Sequence, residues 1–327
     1  MRVRRHPTWK AMAPSASRLD VLRALDPWFN RLTGLCALLV FVALVALGVM
    51  LFHGGWLAFK TFGWHFAVSQ AWDPVAGDFG ALIPIIGTLA SSAVALLIAV
   101  PVSFGIAIFI TELAPVWLRR PVGSAIELLA AIPSIIYGMW GLFVFCPLLA
   151  RLEPWIDRNL GAIPGAGILF QGPPMGVGLL SAGLILGIMV IPFIATIMRD
   201  VFLTTPAIIK ESAYALGATT WEVVWHVVVP HTRSAVIGGI FLGLARALGE
   251  TMAVTFVIGN AHQLSASLLA PANSISATIA NEFAEADTDL YRASLLALGF
   301  ILCVISMIVL IAGKALLARQ GVRTGTV

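Results

Sequence analysis

The chain has 327 residues, of which 59% are hydrophobic and only 11% charged, with a mean hydropathy of +0.96 and a formal net charge of +4. Soluble domains carry about 25% charged residues, so this composition excludes a water-soluble globule and requires lipid as the solvent for much of the chain. The pI near 9.3 reflects cations gathered at one membrane face, not a nucleic-acid surface.

In chain order, the first segment is a basic tail, 1–31, with Arg2, Arg4, Arg5, Lys10, Arg18, Arg23 and Arg31. It is too long and too basic, and lacks the small-residue cleavage site, for a removed signal peptide. The apolar run that follows, 32–52, is expected to remain as an anchor over 32–53, joined by a connection at 54–81 to a membrane domain over 82–318 and a short tail, 319–327. About 20 apolar residues suffice to cross the hydrocarbon core as a helix. Further runs at 83–110, 122–149, 175–198, 236–258 and 293–317 bring the expected spans to six.

Pro84, Pro101, Pro133, Pro147 and Pro192 fall inside these runs. Each frees a carbonyl, so the kinks should face neighbouring helices or a cavity. Cys36, Cys146 and Cys303 lie in apolar runs without the paired spacing of zinc, haem or redox motifs, and read as packing residues. Gly183 with Gly187, and Gly239 with Gly243, permit close helix contact, either within the chain or with another subunit.

Lysines and arginines set orientation. Besides the tail, they occupy the second-to-third connection (Arg119, Arg120), the fourth-to-fifth (Arg199, Lys210, Arg233) and the C-terminus (Lys314, Arg319, Arg323). The remaining connections hold only Lys60, Arg151, Arg158 and Arg292. Both termini are therefore expected on the cytoplasmic side. Glu112 and Glu127 flank the Arg119-Arg120 turn and are expected to pair with it or snorkel. The outer connections, near 53–81, 150–174 and 259–292, include an acidic cluster of Glu282, Glu285, Asp287 and Asp289, with no sign of a second large domain.

The connection 199–234 is punctuated like folded structure. Thr205 reads as an N-cap with Pro206 in the first helical position. Ile208, Ile209, Ala213 and Leu216 give an apolar stripe that stops at Gly217. Thr219 and Glu222 fit a capping box, and the valines 223, 224, 227 and 228 continue a second helix expected to end at Pro230. Two short helices joined at a glycine are thus expected. They suit either a lipid surface or a partner protein.

Glu211-Ser212-Ala213, then Gly217, then Val227, Val229 and Pro230 resemble the loop signature of bacterial ATP-binding-cassette importer permeases, with Ser212 in place of the first alanine. The resemblance extends to 98–105, 111–115, 127–141, 198–201, 246–255 and 281–283, and is closest to the phosphate importer permeases. It implies an all-α integral membrane protein: six transmembrane helices in a type I importer permease (MetI-like) bundle. It also implies that Glu211, Ser212, Ala213, Gly217 and Pro230 belong to helices that dock on an ATPase. The implied partners are a second permease of the PstA type, an ATPase homodimer of the PstB type and a periplasmic phosphate-binding protein of the PstS type. No Gly-x-x-x-x-Gly-Lys-Ser/Thr loop occurs, so nucleotide chemistry belongs to a partner. No cofactor or metal is expected on this chain.

Arg246 and Glu250 stand four apart in the fifth span, a spacing that places them on one helical face. Each charge costs roughly 2.5–3.5 kcal/mol at a helix centre on insertion scales, so both should face the bundle interior or a cavity. One reading is an ion pair that orients the helix. The other is a substrate path in which Arg246 offers forked donors to phosphate and Glu250 competes for them.

Two rival classes are an intramembrane enzyme and a secondary transporter or channel. An intramembrane enzyme needs a nucleophile, base or metal cluster at depth. The histidines (6, 53, 65, 226, 231 and 262) all lie in the tail, loops or span ends, and no His-Glu-x-x-His or Gly-x-Ser-x-Gly occurs. A secondary transporter or channel, with Arg246 and Glu250 as a proton relay, would explain the charges but leaves the 199–234 connection without a purpose.

Overall fold

The computed structural model describes residues 16–165 and 167–319, with side chains from 27 to 318. Arg2, Arg4, Arg5, Lys10 and Arg323 lie outside the described residues, as do the side chains of Arg18, Arg23 and Arg319. The chain divides into two compact units, 1–50 and 51–327.

Helix α1 runs from Ala16 to Gly54 and passes through Pro27, so the second half of the basic tail is helical. Side chains 27–47 are all exposed, as an apolar helix solvated by lipid requires.

In the second unit, two short helices, α2 (Trp56–Phe62) and α3 (His65–Val68), lead into an antiparallel hairpin of β1 (Trp72–Asp73) and β2 (Asp78–Phe79). Asp73 closes its turn by accepting the amides of Val75 and Ala76 through Oδ1. The long helix α4 (Leu82–Ile108) ends in a π-helical turn, Phe109–Leu113. Beyond Pro115 come α5 (Val116–Ala130) and, after a break at Pro133, α6 (Ser134–Trp140), a second π turn and α7 (Cys146–Leu160). The third span is accordingly Ser134–Leu160. The expected 122–149 began too early because apolarity runs unbroken through Pro133, whereas the proline backbone stops the helix there.

Helix α8 (Leu179–Leu203) is the centre of the bundle: 61% of its most apolar stretch is buried, against 28% or less for every other described span. It packs along α4. Adding a Cβ to Gly183 would bring it within 2.5 Å of Val94, and Gly187 lies under the backbone of Ala95. Gly239 and Gly243 similarly admit Ile197 and Ile194 of α8. Both small-residue pairs therefore serve packing within the chain.

The connection after α8 carries α9 (Ala207–Ala215), then α10 (Thr220–Val223), a π turn (Val224–Val228) and α11 (Val229–Leu248). Thr220–Leu248 is one continuous helix, the fifth span. Pro230 does not end the helix, contrary to the sequence expectation. It sits in the first turn of α11, and the widened π turn just before it absorbs the amide and ring clash a proline brings. The fifth span is instead interrupted at 249–251, beyond which α12 (Met252–Val257) resumes.

A loop, α13 (Ile275–Glu282) and the sixth span's helix α14 (Asp289–Arg319) complete the fold. Gly87 lets this loop lie directly on α4: an added Cβ would collide with the Asn273 carbonyl at 1.8 Å. The amide of Ile275 donates to Thr88 Oγ1 at 2.9 Å beside it.

Candidate functional site

Arg246 is exposed in the last turn of α11, one turn before the break in the fifth span. Its guanidinium carbon lies 5.3 Å from the centroid of the Phe193 ring, over α8 one residue beyond Pro192. A cation held over an aromatic face gains about 0.5–2 kcal/mol according to its desolvation, and the contact leaves the guanidinium edge available. The hydroxyl of Tyr137 in α6 lies within range of the same guanidinium. That hydroxyl donates to the Leu129 carbonyl at 2.9 Å, across the break between α5 and α6. Two interrupted helices thus meet here. Gly138 of α6 packs against α12, where an added Cβ would lie 2.8 Å from Phe256 and 3.0 Å from the Met252 carbonyl.

Glu250 does not share a helical face with Arg246, because α11 stops at Leu248. No ion pair joins the two among the described residues. Glu250 Oε1 accepts the Ala253 amide at 3.3 Å, capping the start of α12, and its carbonyl accepts Ser276 Oγ at 2.7 Å, tying the break to α13. The spacing rule failed because it presumes an unbroken helix. A proton relay built on the pair loses its geometry for the same reason.

The 199–234 connection forms the second part of the site. Pro206, not Thr205, is the N-cap of α9, and Thr205 Oγ1 is buried without a hydrogen-bond partner. Ala213 turns inward against the core, whereas Ile208 (72% exposed) and Leu216 (90%) stand free. The apolar stripe is therefore divided between the core and an open face. Ser212 donates to the Ile208 carbonyl at 2.6 Å, and Glu211 is exposed. Gly217 takes φ +88°, a left-handed conformation that costs other L-residues about 1–2 kcal/mol. The capping box forms as expected. Glu222 accepts from the Thr219 amide at 2.8 Å, and Thr219 Oγ1 accepts from the Glu222 amide at 3.4 Å.

What fastens α9 is Lys210, whose Nζ lies 2.5 Å from Glu112 Oε1 with both side chains largely buried. Glu127 pairs at 2.9 Å with Arg199, which also binds Asp200. Among the described residues neither carboxylate pairs with Arg119 or Arg120, the partners expected from their proximity in sequence. Phe193 and Tyr137 were not singled out from the sequence, and Lys210 was named there only as an orientation-setting cation, not as the partner of Glu112. Tyr137 carried a usable signal, as one of only three tyrosines and placed in an apolar run; Lys210 and Phe193 carried none.

Residues 100–322 match the family described as the binding-protein-dependent transport system inner membrane component. The chain is 56% identical over 301 residues to the phosphate transport system permease protein PstC of Mesorhizobium japonicum, covering 92% of each. It is 57% identical over 292 residues to PstC of Pasteurella multocida, covering 89% of this chain and 91% of the relative. With the probable PstC of Methanocaldococcus jannaschii it shares 37% over 306 residues, 91% and 95% of the two chains. The fold is similar to a chain in the crystal structure of a bacterial alginate ABC transporter in complex with an alginate pentasaccharide-bound periplasmic protein. The TM-score is 0.60 at 18% identity, covering 93% of this chain and 99% of that one. With its six apolar helices, the chain is a multi-pass membrane protein of the type I importer permease fold and belongs to the PstC family of phosphate transport system permeases.

Proposed function

We propose that this chain forms half of the translocation path of an ATP-driven importer of inorganic phosphate, in the bacterial inner membrane with both termini cytoplasmic. Its partners are a second permease of the PstA type, an ATPase homodimer of the PstB type and a periplasmic binding protein of the PstS type. Residues 32–53 act as an anchor and 82–318 as the transporting domain. The observation that carries this reading is Arg246, an exposed guanidinium beside two interrupted helices, unopposed by Glu250, in a chain more than half identical to phosphate permeases.

In this reading Arg246 presents its forked donors to a phosphate oxyanion. Release follows because the site is open and because Phe193 holds the cation when phosphate leaves. Glu250 serves by holding the break in shape, not by competing for the cation. Helix α9, with Glu211, Ser212 and Ala213, and the Gly217 turn receive motion from the ATPase and pass it through Lys210 and Glu112 to the second span. Pro230 lies on the continuous helix that carries that motion to Arg246. ATP and phosphate each bias the outward and inward states only by their differential affinity for them.

Arg246→Gln in vesicles reconstituted with all four components should lower phosphate uptake by about 10- to 100-fold, the loss of a charge-assisted hydrogen-bonding group. Arg246→Lys should retain part of the rate. Uptake equal to the parent in both variants removes Arg246 from the path, and equal uptake of sulfate by the parent would remove phosphate as the specific cargo.

A further inference from the structure

A separate cavity of about 360 Å³ lies between α5, the π turn after α4 and the end of α8, at the same end of the bundle as α9. Its lining includes Arg119, Arg120, Ser124 and Glu127 of α5, Thr111 of the π turn and Arg199 of α8. That volume lies within the range of small-ligand pockets, about 300–1,000 Å³.

The distribution of donors decides what the cavity can hold. Arg199 commits its nitrogens to Glu127 at 2.9 Å and to Asp200 at 2.9–3.0 Å. Gly123 leaves room for that arrangement, since an added Cβ would lie 3.0 Å from Arg199 Nη1. Among the described residues Arg119 hydrogen-bonds only through Nε, to the Ala114 carbonyl at 2.9 Å, which fixes the guanidinium and leaves both terminal nitrogens unspent. Arg120 makes no hydrogen bond or ion pair among the described residues. Two exposed guanidiniums on one turn of α5 therefore face a cavity whose single lining carboxylate is already engaged. Ile110 and Leu203 complete the lining, Leu203 being 60% exposed, and the first turn of α5 leaves Val116 (81%) and Trp117 (75%) exposed one turn from Arg120.

We infer that this cavity binds a phosphate group, held by Arg119 and Arg120 at a site distinct from Arg246. Paired arginine forks match phosphate oxygens in geometry and charge. Basic pockets between spans take up anionic lipid headgroups by the same chemistry. A phospholipid headgroup and free phosphate both present it. The exposed Leu203 of the lining, and Val116 and Trp117 in the first turn of α5, are what a lipid's glycerol and acyl chains would cover.

The test uses the full chain assembled with its partner subunits in phosphatidylcholine nanodiscs. In one arm phosphatidylglycerol is titrated and retained lipid is read by native mass spectrometry. In the other, binding of radiolabelled inorganic phosphate is read. The quantity compared is the difference between R119Q/R120Q and the parent, so phosphate bound elsewhere cancels. The double variant should weaken one of the two probes by about 10- to 30-fold, the effect of two cations near a headgroup. Which probe weakens identifies the source. Glu127→Gln should instead strengthen that probe by a few fold, a gain no misfolded chain can show. The inference is overturned if both probes bind the double variant as tightly as the parent. It is equally overturned if Arg151→Gln/Arg158→Gln, distant from the cavity, weakens them as much.

Discussion

The two ends of helix α4 are finished in opposite ways. At its start, Glu282 gathers three segments: its carboxylate accepts from Trp72 Nε1 at 2.7 Å and Tyr291 Oη at 2.6 Å, and meets His262 Nε2 at 2.8 Å. Trp72 stacks on His262 with ring centroids 5.0 Å apart, so hairpin, loop, α13 and α14 are tied by one side chain. At the far end, α9 is fastened by Lys210 and Glu112, yet it leaves Ile208, Leu216 and Trp221 uncovered. The first end is tied together by polar side chains from within the chain, around the buried Phe66, Phe79 and Tyr291. The second is held firmly to the bundle while its apolar surface is left open, as a contact surface for another protein is.

The largest effect should come from Glu282→Ala, which leaves three donors without their acceptor and should cost about 3–5 kcal/mol of stability, read as faster thermal inactivation. Retained stability would show that the knot is dispensable. The same carboxylate gives this end a pH dependence. Burial raises its pKa, but hydrogen bonds from His262, Tyr291 and Trp72 outweigh burial and hold it below the usual carboxylate range. Its contribution is then fully present above the unfolded value of about 4.3 and is lost as pH falls from there through the folded value. Glu282→Gln should abolish that acid-side loss in a pH series of thermal inactivation.

Glu112→Ala should cost about 3 kcal/mol locally by leaving Lys210 largely buried and unpaired. Its consequence should differ in kind: α9 loosens, and co-purification of the ATPase falls while the opposite end stays intact. Equal loss at both ends would break the comparison. Gly217→Ala should cost about 1–2 kcal/mol at its left-handed position and weaken ATPase-coupled uptake more than global stability. Thr219→Ala should be the mildest, about 1 kcal/mol from the lost cap, visible as faster hydrogen exchange at the start of α10.

Sequence alone determined the membrane class, the number of spans but not the bounds of the third and fifth, the capping box at Thr219 and Glu222 and the glycine turn, because each depends on local composition or on neighbours within four residues. The resemblance carried by Glu211 through Pro230 pointed to an importer permease, and the further stretches from 98 to 283 led to the phosphate family. Tertiary structure decided the rest. The break at 249–251 separates Arg246 from Glu250, and no spacing rule contains it, since α13 holds it through Ser276 from 26 positions away. The pairing of Glu112 with Lys210 spans 98 positions and that of Glu127 with Arg199 spans 72. Charges in an apolar bundle take whichever partner packing brings near, because leaving one unpaired costs more than any local preference supplies.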